Sequence, residues 1–361
     1  MNVDGAAYRS IWRDGNVVRI IDQALLPHTF RVVKLASAEE VADAIRNMRV
    51  RGAPLIGAAA AFGMAMAMAN DASGANLIRA GEQLAKTRPT AINLRWAIGR
   101  MSQVLRPLAV HARADAAWKE AQAIADEDVA TNHAIGQHGV GLIRKVAENR
   151  SGPVNVLTHC NAGWLATVDV GTALAPIYLA HDQGIPVHVW VDETRPRNQG
   201  LLTAWELAHH GVPHTVISDN AGGHLMQRGQ VDITVVGADR VTARGDVCNK
   251  IGTYLKALAA KDCNIPFCVA FPGSTIDWDI EDGFVGIPIE ERGADELRSI
   301  AGRGGDGEPA RLWLVPERSP VANPAFDVTP AALVSMLITE RGVTTASRAG
   351  LSALYPERAQ R

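Results

Sequence analysis

Val154-Asn-Val-Leu-Thr-His-Cys-Asn-Ala-Gly163 is the stretch that decides the fold, because a short apolar run there ends abruptly in polar and small residues. Four more runs rich in β-branched residues follow it, over residues 187–191, 214–218, 233–236 and 266–270. Helical patterns lie between them, for example over residues 201–210 and 251–261. Alternating strands and helices are typical of a parallel sheet covered on both faces. The sequence therefore predicts an α/β fold for this part of the chain.

The chain before this stretch follows a different rhythm. Two short alternating segments, residues 8–12 and 17–21, are separated by Asp14-Gly15 and predict a small antiparallel hairpin. From Ser37 to Arg150 the apolar spacing is helical, beginning with the capping-box pair Ser37 and Glu40. This first part is therefore expected to be helix-rich, with a small antiparallel β element.

Two segments carry specific structural expectations. Residues 54–69 are apolar and Ala-rich, but they fall short of the roughly 20 residues that a membrane span needs, so they predict a buried core helix. Residues 301–309 contain four glycines and predict an exposed loop.

Composition excludes several classes of protein. The 361 residues include 36 Lys and Arg against 38 Asp and Glu, so the net charge of −2 argues against a nucleic-acid-binding protein. Residues 1–10 lack the apolar core of a signal peptide, and four cysteines in a chain of this length do not make a disulfide framework. We expect a cytoplasmic protein with no nucleic-acid or membrane partner.

Polar side chains follow four of the predicted strands. They are delivered by residues 158–163, 192–200, 219–220 and 237–240. The carboxyl ends of parallel strands meet at one edge of the sheet, and such sheets bind ligands there. Any one of these segments could be a polar loop with a helix cap, but four in succession favour a functional site.

The motifs of common cofactors are missing from the sequence. The first strand–helix turn reads Asn161-Ala-Gly163, without G-x-G-x-x-G, and no G-x-x-x-x-G-K-[ST] occurs anywhere. Cys263 and Cys268 are not accompanied by the C-x-x-C pair or spaced histidine pair that a metal site would need. Cys268 lies in an apolar run, which predicts a buried thiol. We therefore expect no cofactor and no metal.

Anion sites are better indicated. Arg51-Gly-Ala-Pro54 and Thr87-Arg-Pro-Thr90 each place an arginine before a helix, and Asn249-Lys250 is expected to open a third helix. Arginine, lysine and free helix-start amides suit a phosphate, although solvated arginines would explain any single motif equally well.

Six motifs together resemble the methylthioribose-1-phosphate isomerase family, which is related to regulatory subunits of a translation-initiation exchange factor and to ribose-1,5-bisphosphate isomerases. The resemblance covers residues 10–345. The motifs are Arg51-Gly-Ala-Pro54, Thr87-Arg-Pro-Thr90, Leu157-Thr-His-Cys-Asn-Ala-Gly163, Glu193-Thr-Arg-Pro196 with Gln199-Gly200, Gly237-Ala-Asp-Arg240, and Gly245-Asp-Val-Cys-Asn-Lys-Ile-Gly-Thr-Tyr254.

This resemblance implies an N-terminal helical domain with a small β element, residues 1–130, and a Rossmann-like catalytic domain, residues 131–361. It also implies a homodimer that acts in methionine salvage and converts 5-methylthioribose 1-phosphate to 5-methylthioribulose 1-phosphate. By its motifs, Cys160 and Asp239 match the catalytic pair. The positions that match substrate-binding residues are Arg51, Gly52, Ala53, Arg88, Gln199, Asn249 and Lys250.

Two departures from the family pattern bear on substrate range. Cys248 stands where a small residue such as Ala is expected, and residues 218–223 are richer in glycine than usual. Two alternative functions therefore stay open: isomerisation of another sugar phosphate, such as 5-deoxyribose 1-phosphate or ribose 1,5-bisphosphate, and a non-catalytic regulatory subunit. The presence of both Cys160 and Asp239 argues against the regulatory subunit.

Overall fold

The computed structural model describes residues 1–358 and begins with short antiparallel strands. The first five strands are β1 (Asn2–Val3), β2 (Ala6–Ala7), β3 (Ile11–Asp14), β4 (Val17–Ile21) and β5 (Val32–Leu35). The last three pair side by side in the order β3-β4-β5. The predicted hairpin is thus confirmed, although its first strand begins at Ile11 and leaves Tyr8 outside.

Five helices follow and form most of the first half of the molecule. They are α1 (Ala38–Arg46), α2 (Ala53–Asn70), α3 (Gly74–Ala85), α4 (Ile92–Leu105) and α5 (Val110–Ala147). The side chain of Ser37 caps α1 by accepting from the backbone N–H of Glu40, as the sequence pattern predicts.

Helix α2 is the centre of this helical part. By length and composition alone it could cross a membrane, yet 83% of its apolar window is buried within the fold. It packs against α1, α3, α4 and α5, and small side chains let these helices approach closely. The prediction of a buried core helix is confirmed.

Helix α5 runs through the expected boundary between residues 130 and 131 without a break. Its early residues pack in the helical core, and later residues such as Ile135 and Ile143 pack against the sheet that follows. The division into residues 1–130 and 131–361 stays a prediction.

A seven-stranded sheet forms the second half. Its neighbouring strands all run parallel, except for one antiparallel pair at an edge. The elements from its first strand to the fourth are β6 (Val154–Thr158), α6 (Ala175–Asp182), β7 (Val187–Asp192), α7 (Gly200–His210), β8 (His214–Ile217), α8 (Ala221–Gln227) and β9 (Ile233–Val236). All five strands expected from the sequence are present, which confirms the α/β fold class.

The remaining elements complete this sheet and add a smaller one. They are β10 (Arg240–Thr242), β11 (Val247–Lys250), α9 (Thr253–Asp262), β12 (Phe267–Ala270), β13 (Ile276–Asp277), α10 (Gly283–Gly286), α11 (Ala294–Arg298), β14 (Ser299–Arg303), β15 (Pro309–Trp313), β16 (Phe326–Thr329), β17 (Met336–Thr339), β18 (Gly342–Thr344) and α12 (Arg348–Leu354). The seven-stranded sheet has the spatial order β18-β17-β12-β9-β6-β7-β8, with β17 and β18 as its antiparallel edge pair. The smaller sheet has the order β13-β10-β11-β16, and its strand β10 follows β9 directly in the chain.

The expectation of an exposed loop over residues 301–309 is wrong at both ends of that segment. Strands β14 and β15 pair there, with Gly302 opposite Ala310, so only the short connection between them is a turn. Glycine lowers the propensity to form a strand but does not forbid one. The φ angle of Gly302 lies outside the left-handed region, so this residue can take part in a strand.

Candidate active site

A cavity lies between the carboxyl ends of the parallel strands and the start of helix α2. Strands β6 and β9 end at its floor, and the smaller sheet closes one side. Every site residue expected from the sequence lines this cavity: Arg51, Gly52, Ala53, Arg88, Cys160, Gln199, Asp239, Asn249 and Lys250.

Cys160 follows strand β6 in a left-handed backbone conformation, with φ +67°. Hydrogen bonds hold this unfavourable backbone: its N–H donates to Thr194 Oγ1 at 2.9 Å, and its carbonyl accepts from Thr203 Oγ1 at 2.8 Å. The thiol donates to Gln199 Oε1 at 3.3 Å. Burial raises the pKa of the thiol, whereas the charges of Arg51 and Lys250 act in the opposite direction.

Asp239 lies in the turn that follows strand β9, two residues after Gly237. Its backbone N–H donates to the carbonyl of Cys248 at 2.9 Å, which fixes the turn between the two sheets. Burial raises the pKa of its carboxyl group, against the attraction of Lys250 and Arg88. Burial thus favours the protonated form, the state that a general acid requires.

Arg51 is held from behind by a buried chain of hydrogen bonds. Its Nη2 donates to the backbone carbonyl of Asn161 at 3.1 Å and also to the Asn161 side-chain oxygen. The amide nitrogen of Asn161 donates in turn to Glu206 Oε1 at 2.8 Å. Arg51 is only 4% exposed, and its Nε has no hydrogen-bond partner among the described residues. A buried guanidinium with a free donor is suited to an anion.

Glu206 anchors this chain from the middle of helix α7. Besides Asn161, it accepts from Tyr178 Oη at 2.8 Å and from the N–H groups of Trp164 and Leu165 at 3.1 and 3.0 Å. Burial raises the pKa of its carboxyl group to about 7 despite these donors. It therefore ties the segment after Cys160 to helix α7.

Gly52 and Ala53 form the start of helix α2. Gly52 has φ +93°, and a Cβ at this position would lie 2.3 Å from the carbonyl oxygen of Ala166. Only glycine fits this turn. No side chain among the described residues caps the helix, so the first-turn N–H groups other than that of Pro54, which has none, remain available to an anion beside the cavity.

Three more polar residues line the cavity: Arg88, Asn249 and Lys250. Arg88 pairs with Glu290 at 3.0 Å, and its Nε has no partner within residues 1–358. Lys250 Nζ lies 4.7 Å from the centre of the Phe326 ring. Burial lowers the pKa of Lys250, while the negative charges of Cys160 and Asp239 act to raise it.

The expectation that Asn249 and Lys250 open a helix is wrong. Both residues lie on strand β11, where they pair with Asp327 and Phe326 of strand β16, and helix α9 begins at Thr253. A strand with polar residues buried against a site lacks the usual alternation of polar and apolar side chains. Sequence periodicity therefore could not distinguish this strand from the start of a helix.

Four residues at or behind the cavity were not predicted: His159, Asn161, Glu206 and Phe326. His159 Nδ1 lies 2.8 Å from Asp192 Oδ2 and its Nε2 lies 2.8 Å from the carbonyl of Ile251. His159 and Asn161 flank Cys160 in the motif that follows strand β6. Their place in that motif is the sequence signal that could have identified them. Glu206 gave no signal, because glutamate in a helix normally faces solvent.

One cluster among residues 1–358, His159, Asp192 and Asp219, brings three potential metal ligands together. The ammonium of Lys256 lies 3.2 Å from Asp192 Oδ2 and donates to the backbone carbonyl of Asp219. A cationic side chain therefore already balances the buried carboxylate, so this cluster fits a structural ion pair better than a metal site.

The fold and this cavity define an α/β enzyme whose small-molecule site lies at the carboxyl edge of a parallel sheet. Comparison with known proteins agrees. The model of the initiation factor 2 subunit family matches residues 49–346. A methylthioribose-1-phosphate isomerase of Brucella anthropi is 62% identical over 363 residues, which cover 99% of this chain and 100% of that protein.

Solved structures give the same relationship. The 5-methylthioribose 1-phosphate isomerase of Pyrococcus horikoshii has a TM-score of 0.83 at 40% identity, covering 97% of this chain and 96% of that one. The translation initiation factor eIF-2B subunit delta of A. fulgidus has a TM-score of 0.79 at 40% identity, covering 97% and 100%. The chain belongs to the methylthioribose-1-phosphate isomerase family.

Proposed function

We propose that the chain is an isomerase that converts 5-methylthioribose 1-phosphate to 5-methylthioribulose 1-phosphate, a step of methionine salvage. The observation that carries the proposal is one cavity that contains a partly buried thiol, Cys160, a partly buried carboxyl, Asp239, and cationic donors without partners among the described residues.

The substrate poses a specific chemical difficulty. A phosphate ester on C1 locks the anomeric carbon, so the sugar cannot open to a free aldehyde. The enzyme must break the bond between C1 and the ring oxygen while hydrogen moves from C2 to C1. Asp239 is the proposed acid at the ring oxygen, and its raised pKa supports this role.

Cys160 is proposed to act at C2. Two routes are compatible with its position. In the first, the thiolate removes the proton from C2 as the bond between C1 and the protonated ring oxygen breaks, and the enol phosphate so formed takes a proton back at C1 to give the ketose. In the second, the bond between C1 and the protonated ring oxygen breaks first and a hydride moves from C2 to C1. The C2 hydroxyl then loses its proton to give the ketose, and the thiolate stabilises the developing positive charge. The cations Arg51 and Lys250 lower the cost of ionising the thiol in either route.

The phosphate is proposed to bind between Arg51 and the uncapped start of helix α2. Arg51 Nε and Arg88 Nε are buried donors without partners among the described residues, and the first N–H groups of α2 add the positive end of a helix dipole. Gln199, Asn249 and Lys250 are the proposed polar contacts around the sugar.

Assembly and location complete the proposal. We expect a cytoplasmic homodimer without a nucleic-acid or membrane partner, consistent with the balanced charge and the buried helix α2. Sedimentation at micromolar concentration should give about twice the mass of one chain, and a monomer would contradict this expectation.

The likeness to an eIF-2B subunit keeps a non-catalytic regulatory role as the second candidate. A turnover assay distinguishes the two. The purified chain should convert 5-methylthioribose 1-phosphate to the ketose and leave unphosphorylated 5-methylthioribose unchanged. Absence of turnover of the phosphorylated sugar, or comparable turnover of the free sugar, would refute the proposal.

A further inference from the structure

His159 is a buried histidine that the proposed reaction does not use. It directly precedes Cys160 after strand β6, lines the cavity of the candidate active site and is only 1% exposed. Its Nδ1 lies 2.8 Å from Asp192 Oδ2, and its Nε2 lies 2.8 Å from the backbone carbonyl oxygen of Ile251. The ring therefore contacts residues at the ends of strands β7 and β11 from its own place at the end of β6.

The contact with Asp192 orients the imidazole ring. A backbone carbonyl oxygen only accepts hydrogen bonds, so Nε2 carries the proton that binds Ile251. Asp192 is fully buried, and the ammonium of Lys256 lies 3.2 Å from the same carboxylate oxygen that faces Nδ1. The ionised carboxylate also only accepts, so both ring nitrogens donate in this arrangement. Asp192, itself held by Lys256, thus fixes the ring so that Nε2 points at Ile251.

The contact with Ile251 joins the two sheets beside Lys250. Strand β11 pairs with β10 and β16, which belong to the smaller sheet, so these ladders place Lys250 within that sheet but not relative to strand β6. Hydrogen bonds from residues that follow strands of the larger sheet bracket Lys250. On one side, the N–H of Asp239 donates to the carbonyl of Cys248. On the other side, His159 donates to the carbonyl of Ile251.

The position of Lys250 matters for the thiol of Cys160. Burial raises the pKa of this thiol, and the positive charges of Arg51 and Lys250 act to lower it. The negative charge of Asp239 acts in the same direction as burial. An ammonium that moves from about 4 Å to about 6 Å from a thiolate reduces the thiolate fraction about tenfold, at an effective dielectric constant of about 20.

We propose that His159 is a positioning residue, which holds the backbone of Ile251 and thereby keeps the ammonium of Lys250 close to Cys160. Protein groups occupy both ring nitrogens, so His159 acts through Lys250 and not on the sugar itself. Its importance for catalysis rests on the proposed function, in which Cys160 reacts as a thiolate. The ion pair of His159 with Asp192 therefore does more than balance a buried charge.

Two substitutions of His159 separate its two contacts. Glutamine places its amide nitrogen near the position of Nε2 and can still donate to Ile251, whereas the amide of asparagine reaches only the position of Nδ1. The readout is the rate at which iodoacetamide alkylates Cys160 at pH 8, followed by mass spectrometry of the peptide that contains it. Below the pKa of the thiol, this rate is proportional to the thiolate fraction. Cys160→Ser gives the background from the other three cysteines.

His159→Asn should slow the alkylation of Cys160 about tenfold, whereas His159→Gln should stay within about threefold of the wild-type rate. In a Lys250→Met background, His159→Asn should have little further effect, because the ammonium through which it acts is gone. His210→Asn is the matched control. His210 Nε2 also lies 2.8 Å from an aspartate, Asp182, but this histidine does not line the cavity, so the alkylation rate should not change.

A folded His159→Asn protein that is alkylated at the wild-type rate would overturn the inference. An equal loss in His159→Gln would do the same, as would an undiminished loss in the Lys250→Met background. If the His159 variants do not fold, nitrogen NMR of the wild-type protein decides: a slowly exchanging proton on His159 Nε2 is expected, and an Nε2 without a proton would overturn the inference. The alkylation assay contains no sugar, so a wild-type protein without turnover would overturn the proposed function separately.

Discussion

Replacing Glu206 by glutamine is a sharp test of the buried chain behind Arg51. The carboxylate accepts four hydrogen bonds, two on each oxygen, from Asn161, Leu165, Trp164 and Tyr178. Glutamine replaces one oxygen by an NH2 group, which cannot accept from these donors. Taken alone, this change should cost the Glu206→Gln variant about 1–3 kcal/mol of stability, because a buried donor stays unsatisfied.

A second effect of Glu206→Gln depends on pH and favours the variant, because only the wild-type protein loses stability as pH rises. Burial raises the pKa of Glu206 from 4.5 to about 7. Below pH 4.5 the folded and unfolded states are both protonated. As pH rises from 4.5 to about 7, the unfolded state loses its proton while the folded state keeps it, so wild-type stability falls. At 1.36 kcal/mol per pKa unit, the loss between pH 5 and pH 8 is about 2–3 kcal/mol, and the variant lacks it.

The assay is urea unfolding of both proteins at pH 5 and pH 8. The stability deficit of Glu206→Gln should shrink by about 2–3 kcal/mol between the two values. Asp128, whose pKa burial also raises to about 7, is present in both proteins and cancels in the difference. Glu82→Gln, at an exposed position on helix α3, is the control and should show no such change. A deficit that is equal at both pH values would refute the reasoning.

Three further outcomes are expected. Gly163→Ala should destabilise the protein by about 1–3 kcal/mol or more, because its Cβ would lie 1.7 Å from Glu206 Oε2; an unchanged melting temperature would contradict this. Lys250→Met should raise KM for the sugar phosphate by about 10- to 100-fold through loss of a charged contact, whereas an unchanged KM would remove Lys250 from the site. Activity should survive exhaustive chelation, because Lys256 already neutralises Asp192, and loss of activity restored by one metal would show the opposite.

The parallel sheet could be predicted because each strand is a short β-branched run that ends in polar residues. Strand β6 ends at Thr158 and strand β9 at Val236, as expected from the sequence. The same rule located the cavity, since polar residues after parallel strands share one edge. The smaller sheet could not be predicted, because strand β11 carries buried Asn249 and Lys250 and shows no alternation.

Residues that act through others were the hardest to predict. Glu206 lies in a helix whose sequence gives no sign that this position is buried, and its partner Asn161 is 45 residues away. The link from Glu206 through Asn161 to Arg51 exists only after the sheet and helix α2 have packed together. Local patterns indicate strand ends and helix starts, but they contain no information about such long-range pairing.

The central claim is that Asp239 donates a proton to the ring oxygen. Asp239→Asn keeps the shape of the side chain and removes the acidic proton. The account predicts that kcat for 5-methylthioribose 1-phosphate falls by about 10²–10⁴, the usual cost of losing a general acid, while the affinity for substrate changes little. Cys160→Ser should likewise lower kcat more than affinity, which separates both residues from a purely structural role. The decisive measurement is kcat of the folded Asp239→Asn variant: a large fall with retained substrate binding is the predicted result, and a near-normal kcat would contradict the account.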